Sequence, residues 1–282
     1  MKRLAIRKFT LNTSIYIILG IYSVVVIFPL LWVFYSAFKT DKELYQSIWG
    51  LPSKISFYNF IRAWQVGGFQ SASINSILIT TVSVMGVIIV GTMAGYALAR
   101  YKFKGNTLIL FTFLSGIMIP MQIIITPLFI MFKNFNMLNS RSSLILIYIA
   151  MELPFTIFLL TGFFKNIPNE LEESAILDGC NEFGVFLRIM VPIAMPGIIA
   201  SLIFNTISIW NEYLLALVLL QNPEIKTLPL GLGQFAGNTM YNLQYVITFA
   251  GVAIITVPIL IFYMFAQEKL THGITLTGAV KG

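Results

Sequence analysis

Six long apolar runs, at about 14–38, 72–99, 107–132, 143–164, 197–220 and 244–266, leave this chain few folds to adopt. A helix of roughly 20 mainly apolar residues crosses the ~30 Å hydrocarbon core of a bilayer. The runs and their connections use nearly all of the 282 residues. Charged residues make up 10% of the chain, against about 25% in a soluble domain. The predicted class is all-α integral membrane, with six transmembrane helices and no room for a large soluble domain. Its divisions are an N-terminal tail, first span and external segment (1–71), a core of five spans (72–266) carrying a loop at 165–195, and a C-terminal tail (267–282).

Basic residues precede the first run, as in a signal peptide. The run is too long for that, and no small-residue cleavage site follows before Phe38-Lys39, so it reads as a retained helix. Cys180 and His272 are the only residues of their kind. They exclude an internal disulfide, a cysteine-based metal site and most catalytic or zinc arrangements. No phosphate-binding G-x-x-x-x-G-K-[ST] occurs, nor any Gly-Lys dipeptide. Any ATP-derived energy must therefore reach the chain from a separate subunit.

The net charge of +7 has a topological reading rather than a nucleic-acid one. Lys2, Arg3, Arg7 and Lys8 precede the first span, and Arg100, Lys102 and Lys104 separate the second from the third. Lys165, Arg188, Lys269 and Lys281 fall on that same side; Lys39, Lys42, Lys54, Arg62, Lys133, Arg141 and Lys226 fall opposite. The basic density of the first two segments predicts that both termini are cytoplasmic.

The external segment carries Tyr45, Trp49, Phe57, Tyr58 and Trp64, an interfacial aromatic belt or a surface for an external partner. Gly91-x-x-x-Gly95 in span two permits close helix approach, with the partner undetermined. Pro120 and Pro127, either side of Gln122, predict a kinked third span whose freed carbonyls face protein or water.

The polar stretch between spans four and five is the most informative. Asn169 is placed to cap a helix starting at Glu170, with Glu172 completing a capping box. Glu170, Glu172 and Glu173 suit the positive end of its dipole. Asp178-Gly179 supplies a stop. A second, amphipathic helix follows with Phe183, Phe186, Leu187 and Met190 on one face. Pro192 and Pro196 then lead into span five. Glu170, Glu172, Glu173 and Asp178 have no basic residue among them, where cytoplasmic loops normally carry Lys and Arg. Small Ser174 and Ala175 suit a helix that enters a protein groove.

Glu173-Ser174-Ala175, then Gly179, then Ile189-x-Val191-Pro192, closely resembles the cytoplasmic loop motif of ABC-importer permeases. Phe163-Phe164-Lys165-Asn166-Ile167-Pro168-Asn169 before it is similar to carbohydrate-type (maltose-type) members. So are Trp210-Asn211-Glu212-Tyr213, Thr227-Leu228-Pro229-Leu230-Gly231-Leu232 and the ending Leu276 to Gly282, which resembles that of the smaller permease of a pair. The likeness runs from about Asn75 to the C-terminus, with Ser174 in place of the usual alanine and Cys180 in place of another small residue. It implies a type I ABC importer fold in the cytoplasmic membrane of a prokaryote. The implied partners are a second homologous permease, two ATPase subunits and an external solute-binding protein; the implied cargo is a sugar or oligosaccharide. This chain would be non-catalytic and bind no cofactor, with ATP and magnesium held by the ATPase. Glu172, Glu173, Ser174, Ala175, Asp178, Gly179, Phe183 and Pro192 would form the ATPase-coupling site. The tail Thr277, Gly278, Ala279, Val280, Lys281 and Gly282 would reach the ATPase dimer.

Charges within spans are expensive and suggest function. Trp210, Asn211, Glu212 and Tyr213 are the expected substrate path, a structural hydrogen bond for Glu212 being the alternative; Glu152 is a candidate by position alone. Two other readings remain open at this level. One is an ABC permease for a polyol, glycerol phosphate or amino acid. The other is a gradient-driven transporter, which predicts paired halves with matching broken helices.

Overall fold

The computed structural model describes residues 2–241 and 244–279, and side chains over 13–237 and 244–268. All regular elements among the described residues are helical. In chain order they are α1 (Lys2–Ser36), α2 (Asp41–Gln46), α3 (Tyr58–Val66), α4 (Phe69–Arg100), α5 (Asn106–Ile117), α6 (Met121–Asn134) and α7 (Arg141–Lys165). After these come α8 (Glu170–Leu177), α9 (Glu182–Val185), a π turn (Phe186–Met190), α10 (Val191–Ile193), α11 (Met195–Asn211) and α12 (Leu214–Leu219). A 3₁₀ turn (Pro223–Ile225), α13 (Leu228–Tyr241) and α14 (Tyr245–Ala279) complete the order.

Among the described residues, four helices are long and apolar enough to cross a membrane: Thr13–Ser36 of α1, α4, α7 and Tyr245–Glu268 of α14. The third span differs from the kink expected of it. α5 and α6 meet at 100°, because Pro120 has no N–H to continue the ladder and disfavours helical backbone at Ile119. Pro127 stays inside α6. The fifth span is also broken: α11 ends where Glu212 turns extended (ψ 130°), and α12 starts afresh at Leu214. A second bend, of 72°, separates Glu182–Ile193 from α11. Counting each bent pair as one crossing gives six.

The chain packs as two compact units. The first comprises residues 1–69 and 232–256. Its α1 exposes apolar side chains around its circumference from Ile15 to Leu31, as a helix bathed in lipid does. Trp32 lies 5.7 Å from Trp49 and 5.1 Å from Phe249 between ring centres. α2 carries a complete capping box: Glu43 N donates to Thr40 Oγ1, and Thr40 N to Glu43 Oε2 at 2.8 Å. Glu43 also accepts from the Ser53 backbone and hydroxyl. The Ser53 hydroxyl and the Thr40 and Ser53 amides hold its carboxyl down at about 2. Tyr45, Trp49, Phe57, Tyr58 and Trp64 are all exposed.

The second unit, residues 70–231 and 257–282, carries α4 to α12 with the polar loop, and α14 from Val257 onward. α4 and α7 approach closely: a Cβ on Gly91 would stand 2.6 Å from Thr156 Cγ2. One on Gly95 would stand 2.9 Å from Leu160 Cβ and 3.2 Å from the Thr161 backbone nitrogen. The Gly91/Gly95 pair thus serves this chain's own helix packing. Asn205 Nδ2 donates to Thr156 Oγ1 at 2.8 Å, joining α11 to α7 within the buried interior. Buried Tyr96, Leu160, Phe164, Val185, Phe186 and Met190 form a cluster beneath the polar loop.

Candidate functional site

The loop is held by the residues that end α4. Arg100 Nη1 donates to Asn169 Oδ1 at 2.6 Å, and Nη2 to the Ile167 carbonyl at 2.7 Å. Its Nε faces Glu172 Oε1 at 3.4 Å, an ion pair with side-chain exposures of 8% and 17%. Next in sequence, Tyr101 Oη donates to Glu182 Oε2 at 3.1 Å. Burial, with this bond second, raises the Tyr101 pKa. One helix end therefore grips both halves of the loop.

This corrects the expected capping box. Asn169 sits in helical backbone and makes no cap to α8, because its side-chain oxygen is taken by the guanidinium. Glu172 turns to the same cation, leaving Glu170 and Glu173 to complement the helix dipole. At the other end, Gly179 adopts φ +87°. The Gly179 amide donates to Ile176 O and the Cys180 amide to Ala175 O, both at 3.0 Å, the pattern of a Schellman stop. Asn181 then caps α9, its Oδ1 accepting from Gly184 N at 2.7 Å.

The amphipathic face expected of the second helix is split. The π turn, with its i→i+5 bonding, changes the register, so Val185, Phe186 and Met190 turn inward while Phe183 and Leu187 are exposed. Phe186 packs on Tyr96 at 4.9 Å between ring centres. Ala175 is buried against the same cluster, so its small side chain serves packing inside this chain. Glu173, Ser174, Asp178 and Gly179 are exposed, and beside them stand Ile176 and Leu177, the latter 87% exposed. The outward surface of α8 thus joins acidic groups to an uncovered apolar tip. Pro192 is exposed in α10, separate from that surface. Thr277, Gly278 and Ala279 continue the backbone of α14; Val280, Lys281 and Gly282 lie outside the described residues, as do the side chains of 269–279.

The expected substrate path does not form one face. Trp210 is buried beside a cleft of about 310 Å³ that Thr80, Thr206 and Pro258 also line. Glu212 takes the structural role left open for it. Its Oε2 accepts from Tyr148 Oη at 2.6 Å and from Ala216 N at 3.1 Å, while Oε1 accepts from Leu215 N at 2.7 Å. The carboxylate thereby caps the restarted α12 and ties it to α7. Tyr213 is half-buried and Asn211 exposed. Arg100 and Tyr101 were missed as site residues. The signal available was a cation at the end of a span facing a loop of uncompensated acids.

The family described as binding-protein-dependent transport system inner membrane component matches residues 88–275. The diacetylchitobiose uptake system permease protein NgcG of Streptomyces coelicolor is 35% identical, over 92% of this chain and 85% of that protein. The trehalose transport system permease protein SugB of Mycobacterium tuberculosis is 34% identical, over 90% of this chain and 92% of that protein. Among solved structures, a bacterial ABC transporter involved in alginate import contains a similar chain: TM-score 0.77, 24% identity, 91% of this chain and 95% of that one covered. That likeness concerns the fold, which is the type I ABC importer fold.

Proposed function

Because this chain belongs to the family of binding-protein-dependent transport system inner membrane components, we propose how it works as the permease subunit of an ABC sugar importer. It is a multi-pass protein of the cytoplasmic membrane and a non-catalytic subunit. Relatives named for diacetylchitobiose, trehalose and arabinooligosaccharide transport support a carbohydrate cargo. The two broken spans lie within the matched residues, so they belong to this architecture and do not argue for a gradient-driven one.

The working assembly pairs this chain with a second homologous permease, two ATPase subunits holding ATP and magnesium, and an external solute-binding protein. Both termini face the cytoplasm, and the C-terminal tail reaches the ATPases. α8 is the coupling helix, its exposed acidic and apolar surface seated on an ATPase. The observation that carries this reading is the Arg100 clamp, which fixes α8 to the end of a transmembrane helix. Movement of α8 passes through Arg100 to α4, and through the tight Gly91/Gly95 contact to α7. Purification through an N-terminal tag, with uptake assays in cells, tests the reading. The expected result is a second permease, an ATPase at two copies and ATP-dependent sugar uptake. A chain that purifies alone, with uptake abolished by an ionophore and insensitive to ATP depletion, would overturn it.

A further inference from the structure

Glu152 stands eleven residues after the start of the 25-residue α7, about 16 Å along a helix of about 37 Å. That is mid-membrane. Ser208 Oγ of α11 donates to Glu152 Oε1 at 2.6 Å. Phe204, Ser208 and Asn211 recur at i, i+4 and i+7, so they share one face of α11, and all three are exposed. Phe155, three residues after Glu152, meets Phe204 edge-on at 5.7 Å between ring centres. A carboxylate at this depth would be costly against lipid; the Asn211 amide, one turn on from Ser208, donates to the Ile207 carbonyl of its own helix at 2.8 Å. The face therefore belongs against water or protein. A few convergent polar groups beside aromatic rings is the composition of a small-molecule site.

We infer that Glu152, Ser208 and Asn211, flanked by Phe155 and Phe204, line the cargo path and bind the hydroxyls of a neutral carbohydrate. The carboxylate accepts hydrogen bonds from hydroxyl groups and repels anionic sugars, so this face selects against uronates by charge. This rests on the sugar-importer reading above. It also moves the path from Trp210 and Glu212, which point inward, to the neighbouring stripe.

The test uses the full transporter in intact cells, with Asn211→Cys and Phe204→Cys labelled by a membrane-impermeant cationic thiol reagent. The unsubstituted chain, which has Cys180, sets the background, and Val24→Cys, midway along the lipid-bathed α1, is the control. Both path variants should label faster than the control, and more slowly during trehalose or diacetylchitobiose uptake. Glu152→Gln should raise KM for the transported neutral sugar about tenfold, with kcat little changed, through loss of a charged hydrogen-bond acceptor. It should also make uptake more sensitive to inhibition by an alginate oligosaccharide. Absent labelling in a transporter that still takes up sugar would show the face covered by lipid or by the second permease; it overturns this inference alone. Labelling in a transporter that takes up no carbohydrate overturns the cargo class and the sugar-importer reading together.

Discussion

Replacing Arg100 separates a structural anchor from a topological charge. The guanidinium makes two hydrogen bonds of 2.6 and 2.7 Å and one ion pair, at 8% side-chain exposure. Hydrogen bonds to charged groups contribute about 1.5–3 kcal/mol each, and breaking a largely buried ion pair costs about 3–5 kcal/mol. These terms share one side chain and do not add. Arg100→Ala should therefore loosen the loop by about 3–5 kcal/mol, which is roughly a hundred- to several-thousandfold in the equilibrium for loop detachment. Arg100→Lys keeps the charge, but a point cation cannot reproduce the fork, and the loss should be about 1–3 kcal/mol. The assay is hydrogen exchange over the amides of Ile167 to Met190, alongside ATP hydrolysis and sugar uptake by the assembled transporter. Exchange should quicken and uptake fall in the order Arg, Lys, Ala, while ATP hydrolysis persists. Wild-type uptake and unchanged exchange in Arg100→Ala would refute the reasoning.

Gly95→Ala places a Cβ 3.2 Å from backbone, so it should cost about 1–3 kcal/mol by overpacking. Gly162→Ala meets open space and should gain up to about 1 kcal/mol, both read by thermal unfolding in detergent. Gly179 needs positive φ but has nothing within 4 Å of a Cβ. Gly179→Asn should keep the bend, whereas Gly179→Val should strain it by about 1–2 kcal/mol, visible as faster exchange at the Cys180 amide. The depressed Glu43 carboxyl stabilises its turn above the unfolded carboxylate pKa of about 4.3. That contribution should fade as pH falls from there towards about 2, and acid-induced exchange of the Ser53 amide should lose its pH dependence in Glu43→Gln.

The spans were legible because hydrocarbon imposes one rule, internal satisfaction of every backbone group, and long apolar runs announce where it applies. Gly179 was equally legible, since few residues tolerate its backbone. Pro120 marked a disturbance, but its 100° size depends on how neighbouring helices receive the two halves. Asn169 was misread because a cap is a local choice that a partner 69 residues away displaced. Glu212 and Trp210 were on the expected path because their position in the chain says nothing of which way they face. The π turn left no mark that periodicity could detect, so the four residues expected on one face divide between the buried cluster and the surface.

If α8 is the coupling helix, its outward surface meets an ATPase. A photo-crosslinking residue at Leu177, the most exposed apolar side chain of that helix, tests it in native membranes. The expected result is an adduct with the ATPase subunit, lost when the same probe is moved to buried Ala175. Adducts with lipid or with the second permease alone would contradict it.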